Sequence, residues 1–149
     1  MTDSPVVSVL LPVRDAAPYL PECIESLRVQ TLADFEVLAV DDGSRDGSTE
    51  ILAAWAAEDP RVTVIGQPPL GIVTALETAR AHARGAYLAR MDADDIAEPT
   101  RLAEQLAWLE QRPDLAGCGA GIQYFPRQHV REGGKRYERW LNAIRTPDD

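Results

Sequence analysis

Residues 35–55 read FEVLAVDDGSRDGSTEILAAW, and the order of residue types in this stretch decides the fold class. Phe35 to Val40 is a short, almost wholly apolar run, the pattern of a strand covered on both faces, and Asp41 and Asp42 follow it directly. Asp46 and Ser48 then offer helix caps, and Ile51, Leu52 and Trp55 mark the apolar side of a helix. A strand, an acidic loop and a helix in that order make the repeating unit of a parallel α/β fold.

The unit recurs on both sides of this stretch. Val6 to Pro12 (VVSVLLP) reads as a strand, and a helix from Pro18 to about Gln30 carries Leu20, Ile24 and Leu27 at helical spacing with Cys23 alongside. Val62 to Ile65 supplies a third strand. After QPPLG a helix is expected from about Ile72 to Arg84, with Ile72, Leu76 and Ala79 on one face and Gly85 as its C-cap. Tyr87 to Met91 is a fourth strand, and Pro99 and Thr100 open a helix bearing Leu102, Leu106 and Leu109, which Pro113 stops.

Leu115 to Phe125 reads as a fifth strand interrupted by Gly117, Gly119 and Gly121, and Pro126 to Lys135 as a polar loop. Tyr137, Trp140, Leu141 and Ile144 then fall at the spacing of an apolar stripe on a terminal helix. The alternation predicts a doubly wound, mostly parallel sheet with right-handed crossovers, whose functional edge lies at the C-terminal ends of the strands. Residues 1–125 are expected to form one domain, followed over 126–149 by the loop and the amphipathic helix.

Composition narrows the functional classes. A chain of 149 residues with 45% apolar content is expected to bury a single core. Fifteen basic against 24 acidic side chains give a formal charge of −9, which disfavours nucleic acid and anionic membrane as partners, so an anionic ligand needs a cation or local dipoles. Cys23 and Cys118 sit far apart in apolar segments and read as reduced core thiols. No leader-like segment and no membrane-length apolar run is visible, and the chain reads as soluble and cytoplasmic.

Two acidic groups stand directly after strands: Asp41 with Asp42, and Asp92, Asp94 and Asp95 after YLARM. Carboxylates gathered on one sheet edge repel one another unless a cation or a shared proton relieves them, and their hard oxygens suit Mg²⁺ or Mn²⁺. The competing reading is that such residues are solvated turn formers and caps, a role that suits Asp46 and Asp95.

Three phrases, VSVLLPVRD, QTLADFEVLAVDDGSRDGST and ARGAYLARMDADDIAEPTRL, resemble in order and interval the N-terminal half of family 2 glycosyltransferases of the GT-A fold, over roughly residues 6 to 125. The resemblance implies a metal-dependent, inverting transferase with a nucleotide-diphospho-sugar donor, of which this chain is the donor-binding half. Pro12 and Arg14 then line the nucleotide pocket, Asp42 accepts a hydrogen bond from the base, commonly uracil, and Gly71 flanks the nucleotide. Asp92, Ala93 and Asp94 stand as the D-x-D motif, with Asp94 the principal metal ligand and Asp92 directed at the ribose or at metal-bound water.

Arg14, Arg45 and Arg90 are candidates to meet phosphate, Arg90 alternatively pairing with a buried Asp. The general base is implied to lie beyond residue 149, in an acceptor part outside this chain, since Glu132, Glu138, Asp148 and Asp149 read as solvated charges. A growing glycan or a lipid-linked sugar is the implied acceptor, and the terminal stripe suggests self-association. Two other readings are a non-catalytic nucleotide-binding module and a haloacid-dehalogenase-like phosphohydrolase using Asp92 and Asp94; the latter needs its motif after the first strand rather than the fourth.

Overall fold

The computed structural model describes residues 4–144. Four strands, β1 (Val7–Val13), β2 (Phe35–Asp41), β3 (Val62–Gly66) and β4 (Tyr87–Arg90), form one sheet in the order β3-β2-β1-β4. Each neighbouring pair is parallel. The helices are α1 (Leu20–Arg28), α2 (Ser48–Glu58), α3 (Ile72–His82), α4 (Arg101–Gln111) and α5 (Glu132–Ala143), with a 3-10 turn at Arg127–His129. The packing divides into two compact units, one up to Leu106 and one from Ala107, a break earlier than the loop after Phe125.

In the first unit every residue of β1 and β2 is buried, as their continuous apolar runs require of central parallel strands. Side chains alternate between two layers. Val7, Val9, Leu11 and Val13 join Leu20, Cys23, Ile24 and Leu27 of α1 and Leu52 and Trp55 of α2. On the opposite face Leu10, Leu38 and Val40 meet Ala75 and Ala79 of α3. The sheet is therefore doubly wound, and its central strands are reachable only at their ends.

The N-terminal edge is closed by a charge. Glu36, within β2 and 4% exposed, accepts hydrogen bonds from Ser8 Oγ at 2.7 Å and from the Arg84 backbone N–H, Nε and Nη2 at 2.9, 2.9 and 2.6 Å. Gly85 is not the C-cap of α3, which ends three residues earlier with Ala83 as its cap. It serves a close approach instead: a Cβ there would sit 2.6 Å from the Ser8 nitrogen, and its own N–H donates to Ser8 Oγ at 2.8 Å.

The segment that carries D-x-D is held from below by α1. Cys23, Ser26 and the Gln30 that follows the helix lie along one line, at i, i+3 and i+7. The thiol of Cys23 reaches the Asp92 carbonyl at 3.7 Å, and Ser26 Oγ accepts from the Ala97 N–H at 3.1 Å. Gln30 donates to the Glu98 carbonyl at 2.8 Å and accepts from the Leu102 N–H at 3.1 Å. A loop whose backbone groups are paired in this way is positioned by the core rather than by solvent.

In the second unit three expectations are corrected. Residues 115–125 form no strand: the N–H and C=O of Ile122 both pair with the side-chain amide of Asn142, each at 2.7 Å, and the Tyr124 N–H donates to Glu138 at 2.8 Å. Side chains of α5 thus satisfy backbone that a strand ladder would have paired. Nor is 126–135 all loop, since α5 begins at Glu132 and runs through Gly133 and Gly134. Glu138, read as a solvated charge, is 8% exposed and bound by Arg127 Nη1 at 2.7 and 2.8 Å. Glu132 is exposed and pairs with Lys135; Asp148 and Asp149 lie outside the described residues.

Burial alone would raise the Glu36 carboxyl, but the hydrogen bonds from Ser8 and Arg84 and the guanidinium charge hold it below the usual carboxylate range. The folded state then binds its proton less readily than the unfolded chain, whose glutamate titrates at about 4.3. Its contribution is fully present above that value and is lost as pH falls through the folded one. Urea denaturation should show Glu36→Gln less stable than the parent by about 1–3 kcal/mol at neutral pH. The gap should narrow in acid below about pH 4. Gln30→Ala, which strips partners from Glu98 and Leu102, should cost about 1–3 kcal/mol in the same measurement.

Candidate functional site

A cleft of about 390 Å³ opens at the C-terminal edge of β1, β2 and β4. Pro12, Arg14, Asp42, Gly71, Asp92, Ala93 and Asp94, scattered over the sequence, all line it. The sheet order brings them together, because β4 lies directly beside β1 and β1 beside β2. Asp15, which ends the phrase VSVLLPVRD, also lines the cleft, as do Tyr19 and Ile72, which no motif in the sequence marks.

Asp41 and Asp42 do not act as a pair. Asp41 turns to its own loop, accepting from the Ser44 N–H at 2.9 Å and Thr49 Oγ at 2.5 Å, and so shapes the entry to α2. Asp42 faces the other way. Its Oδ1 accepts from Gln67 Nε2 at 2.7 Å and the Leu70 N–H at 2.8 Å, and its Oδ2 from the Gly71 N–H at 2.9 Å with Arg14 Nη1 at 3.5 Å. Burial pushes this carboxyl up, yet the bonds from Gln67, Leu70 and Gly71 and the charge of Arg14 outweigh it and hold the group below its ordinary range. Asp42 is therefore a permanent anion that braces the loop 67–71 across the cleft wall.

Gly71 completes that wall. Its φ of 92° lies where a side chain is strained, and its carbonyl accepts the first backbone bond of α3, from Ala75 at 3.1 Å. The loop thus ends at a helix N-terminus that borders the cleft.

The D-x-D turn divides its side chains by burial. Met91, Ala93 and Ala97 join the core, while Asp92 and Asp94 line the cleft on either side of Ala93, and the Asp95 N–H closes a turn onto the Asp92 carbonyl at 3.1 Å. Burial and then the charges of Asp92 and Asp94 raise the Asp95 carboxyl. Burial and the same three carboxylates push the Cys23 thiol up to about 12, so it is a protonated core group. Neither Cys23 nor Cys118 forms a disulfide.

Negative charge is thus concentrated around the turn beyond what its surroundings offset. Among the described residues no set of three or more His, Cys, Asp and Glu side chains is gathered into a metal cage. Two hard carboxylates open to a cleft nevertheless fit Mg²⁺ or Mn²⁺ when a diphosphate brings the remaining oxygens.

The arginines differ in placement. Arg14 lines the cleft with a half-exposed side chain held only by long contacts, 3.5 Å to Asp42 and 4.0 Å to Asp15. Arg45 is exposed outside it. Arg90 pairs not with a buried Asp but with Asp92, Nε to Oδ1 at 3.0 Å and Nη2 to Oδ2 at 3.1 Å.

Comparison with known proteins matches this architecture. The family model described as Glycosyl transferase family 2 fits residues 8–147, well past the span of the three motif phrases. The chain is 38% identical over 116 residues to the uncharacterized glycosyltransferase EpsJ of Bacillus subtilis (strain 168), covering 77% of this chain and 34% of that protein. To the chondroitin synthase of Escherichia coli it is 40% identical over 112 residues, covering 75% of this chain and 16% of that one. Among solved structures the mannosyltransferase PcManGT from Pyrobaculum calidifontis, in complex with GDP-Man and Mn²⁺, superposes with a TM-score of 0.66 at 31% identity, covering 72% of this chain and 33% of that chain. The chain thus spans about a third or less of the length of these relatives. A match of the family model over nearly all of its residues, on a GT-A sheet, places the chain in glycosyl transferase family 2.

Proposed function

We propose that the cleft is the donor site of a metal-dependent, inverting glycosyltransferase, holding the nucleoside diphosphate of a sugar donor. The observation that carries this reading is the D-x-D turn. With Ala93 anchored in the core, Asp92 and Asp94 line one cleft with Gly71, the end of the loop that Asp42 braces. A related mannosyltransferase holds a nucleotide sugar and Mn²⁺ on the same fold, which supports it.

Asp94 would be the principal ligand of the cation and Asp92 the second, or a partner of the ribose. The bound cation, as a Lewis acid, stabilises the charge that grows on the leaving diphosphate. Arg14, held loosely at the cleft rim, can turn its donors to a phosphate oxygen. Gly71 and Pro12 let the backbone approach the nucleotide, and Asp42 orders the loop against which the base lies. The base is uracil by family resemblance, and guanine is the competing choice because of the mannosyltransferase donor.

Inversion requires a carboxylate to deprotonate the acceptor hydroxyl from the side opposite the leaving group. Asp42 does not suit that task, since its oxygens are committed to the loop and its proton affinity is lowered. The base and the acceptor site, for a growing glycan or a lipid-linked sugar, belong to sequence outside residues 1–149 in this reading.

Calorimetric titration with UDP and GDP, with and without Mn²⁺, should show binding that EDTA abolishes. Asp94→Ala should lose the metal-dependent part and keep its thermal midpoint, because an exposed ligand at a strand end supports no packing. Equal affinity with and without the cation would refute the metal assignment. With labelled nucleotide sugars and an acceptor panel, the isolated chain should release sugar to water slowly at most. The missing base alone costs about two to four powers of ten in rate, so robust transfer would place the base within these residues.

A further inference from the structure

Arg90 is the last residue of β4, and its guanidinium meets the Asp92 carboxylate as a fork, Nε to Oδ1 at 3.0 Å and Nη2 to Oδ2 at 3.1 Å. Its backbone is fixed on both sides. Arg90 is in register with Leu10 of β1, and the next N–H, from Met91, donates to the Leu10 carbonyl at 3.1 Å. The Arg90 carbonyl accepts from Arg101 Nη2 at 2.7 Å. The side chain that springs from this point therefore reaches Asp92 from a rigid base.

The engaged atoms matter more than the pairing. Both oxygens of Asp92 are occupied, and a fork of this kind uses the carboxylate directions that a cation prefers, leaving only the outer lone pairs. Asp92 is also one of the two carboxylates that D-x-D turns into the cleft. An arriving dication that takes Asp92 through the directions the fork occupies must displace the guanidinium.

We infer that Arg90 is the built-in counter-ion of the donor site, occupying Asp92 when no cation is bound and competing with the divalent ion for it. Arg90 is thus a positioning residue that sets the cation concentration at which the donor site fills. The inference rests on D-x-D being the metal site. The pair is 57% and 38% exposed at its side chains, so its effect is screened and modest, the size of a threshold rather than of a lock.

The test is titration with Mn²⁺ alone at low ionic strength, read by electron paramagnetic resonance of the unbound ion. Each protein is compared with its Asp94→Ala counterpart, so that binding elsewhere on the acidic surface cancels. Arg90→Gln should bind Mn²⁺ about two- to fivefold more tightly, and the gain should shrink as salt is added. Arg90→Lys, which keeps the charge and loses the fork, should gain less than Arg90→Gln. Its smaller change also carries the test if far-ultraviolet circular dichroism shows Arg90→Gln unfolded. Unchanged or weaker Mn²⁺ binding by the Arg90 variants, with Asp94→Ala still abolishing it, overturns the counter-ion role and leaves the metal site standing. Equal binding by Asp94→Ala and the parent removes the metal site, and the inference with it.

Discussion

β1 is paired on both edges, to β2 and to β4, and covered on both faces, by α1 and α2 on one side and α3 on the other. A strand so enclosed has no accessible side chains along its length, and chemistry is confined to the loops where strands end. The C-terminal edge collects those loops from β1, β2 and β4 within one cleft. The opposite edge is sealed by Glu36, Ser8 and Arg84 and by the close approach of Gly85. Stability and function are thereby separated along the strand axis.

The site itself is a problem in placing negative charge, and each carboxylate meets it differently. Asp41 and Asp42 are stabilised as anions by hydrogen bonds from backbone and side chains, and both titrate below the ordinary range for that reason. Asp92 has a guanidinium. Asp95 is raised by burial and by its neighbours. Asp94 is exposed and lines the cleft. In a chain of formal charge −9, a diphosphate bound as proposed would meet like charge at this edge, and a cation there would serve attraction as much as chemistry.

The α/β order, the positions of β1 to β4 and the acids that follow β2 and β4 were legible in the sequence because they rest on local patterns, whereas Pro12, Arg14 and Gly71 were implied only by the family resemblance. An apolar run followed by acid marks a strand end, and the placement of β4 beside β1 then brings Asp92 and Asp94 to Pro12 and Arg14. What was not legible depends on partners distant in sequence. Nothing near Leu115–Phe125 shows that Asn142 and Glu138 will bind its backbone, so a strand was the expectation there. Glu138 reads as a surface charge until Arg127 and the Tyr124 N–H are seen around it. Asp42 likewise looks like a ligand-facing acid, whereas its oxygens are already committed to Gln67, Leu70 and Gly71.

That commitment changes what Asp42 can contribute. A carboxylate offers about four acceptor directions, and here three are filled by short bonds and a fourth is approached by Arg14. In the proposed reading, a base that contacts Asp42 would take the direction now approached by Arg14, and the freed guanidinium would be available to a phosphate. Nucleotide and phosphate recognition would then be coupled through that one side chain. The three bonds that hold the loop 67–71 to Asp42 do not involve Arg14.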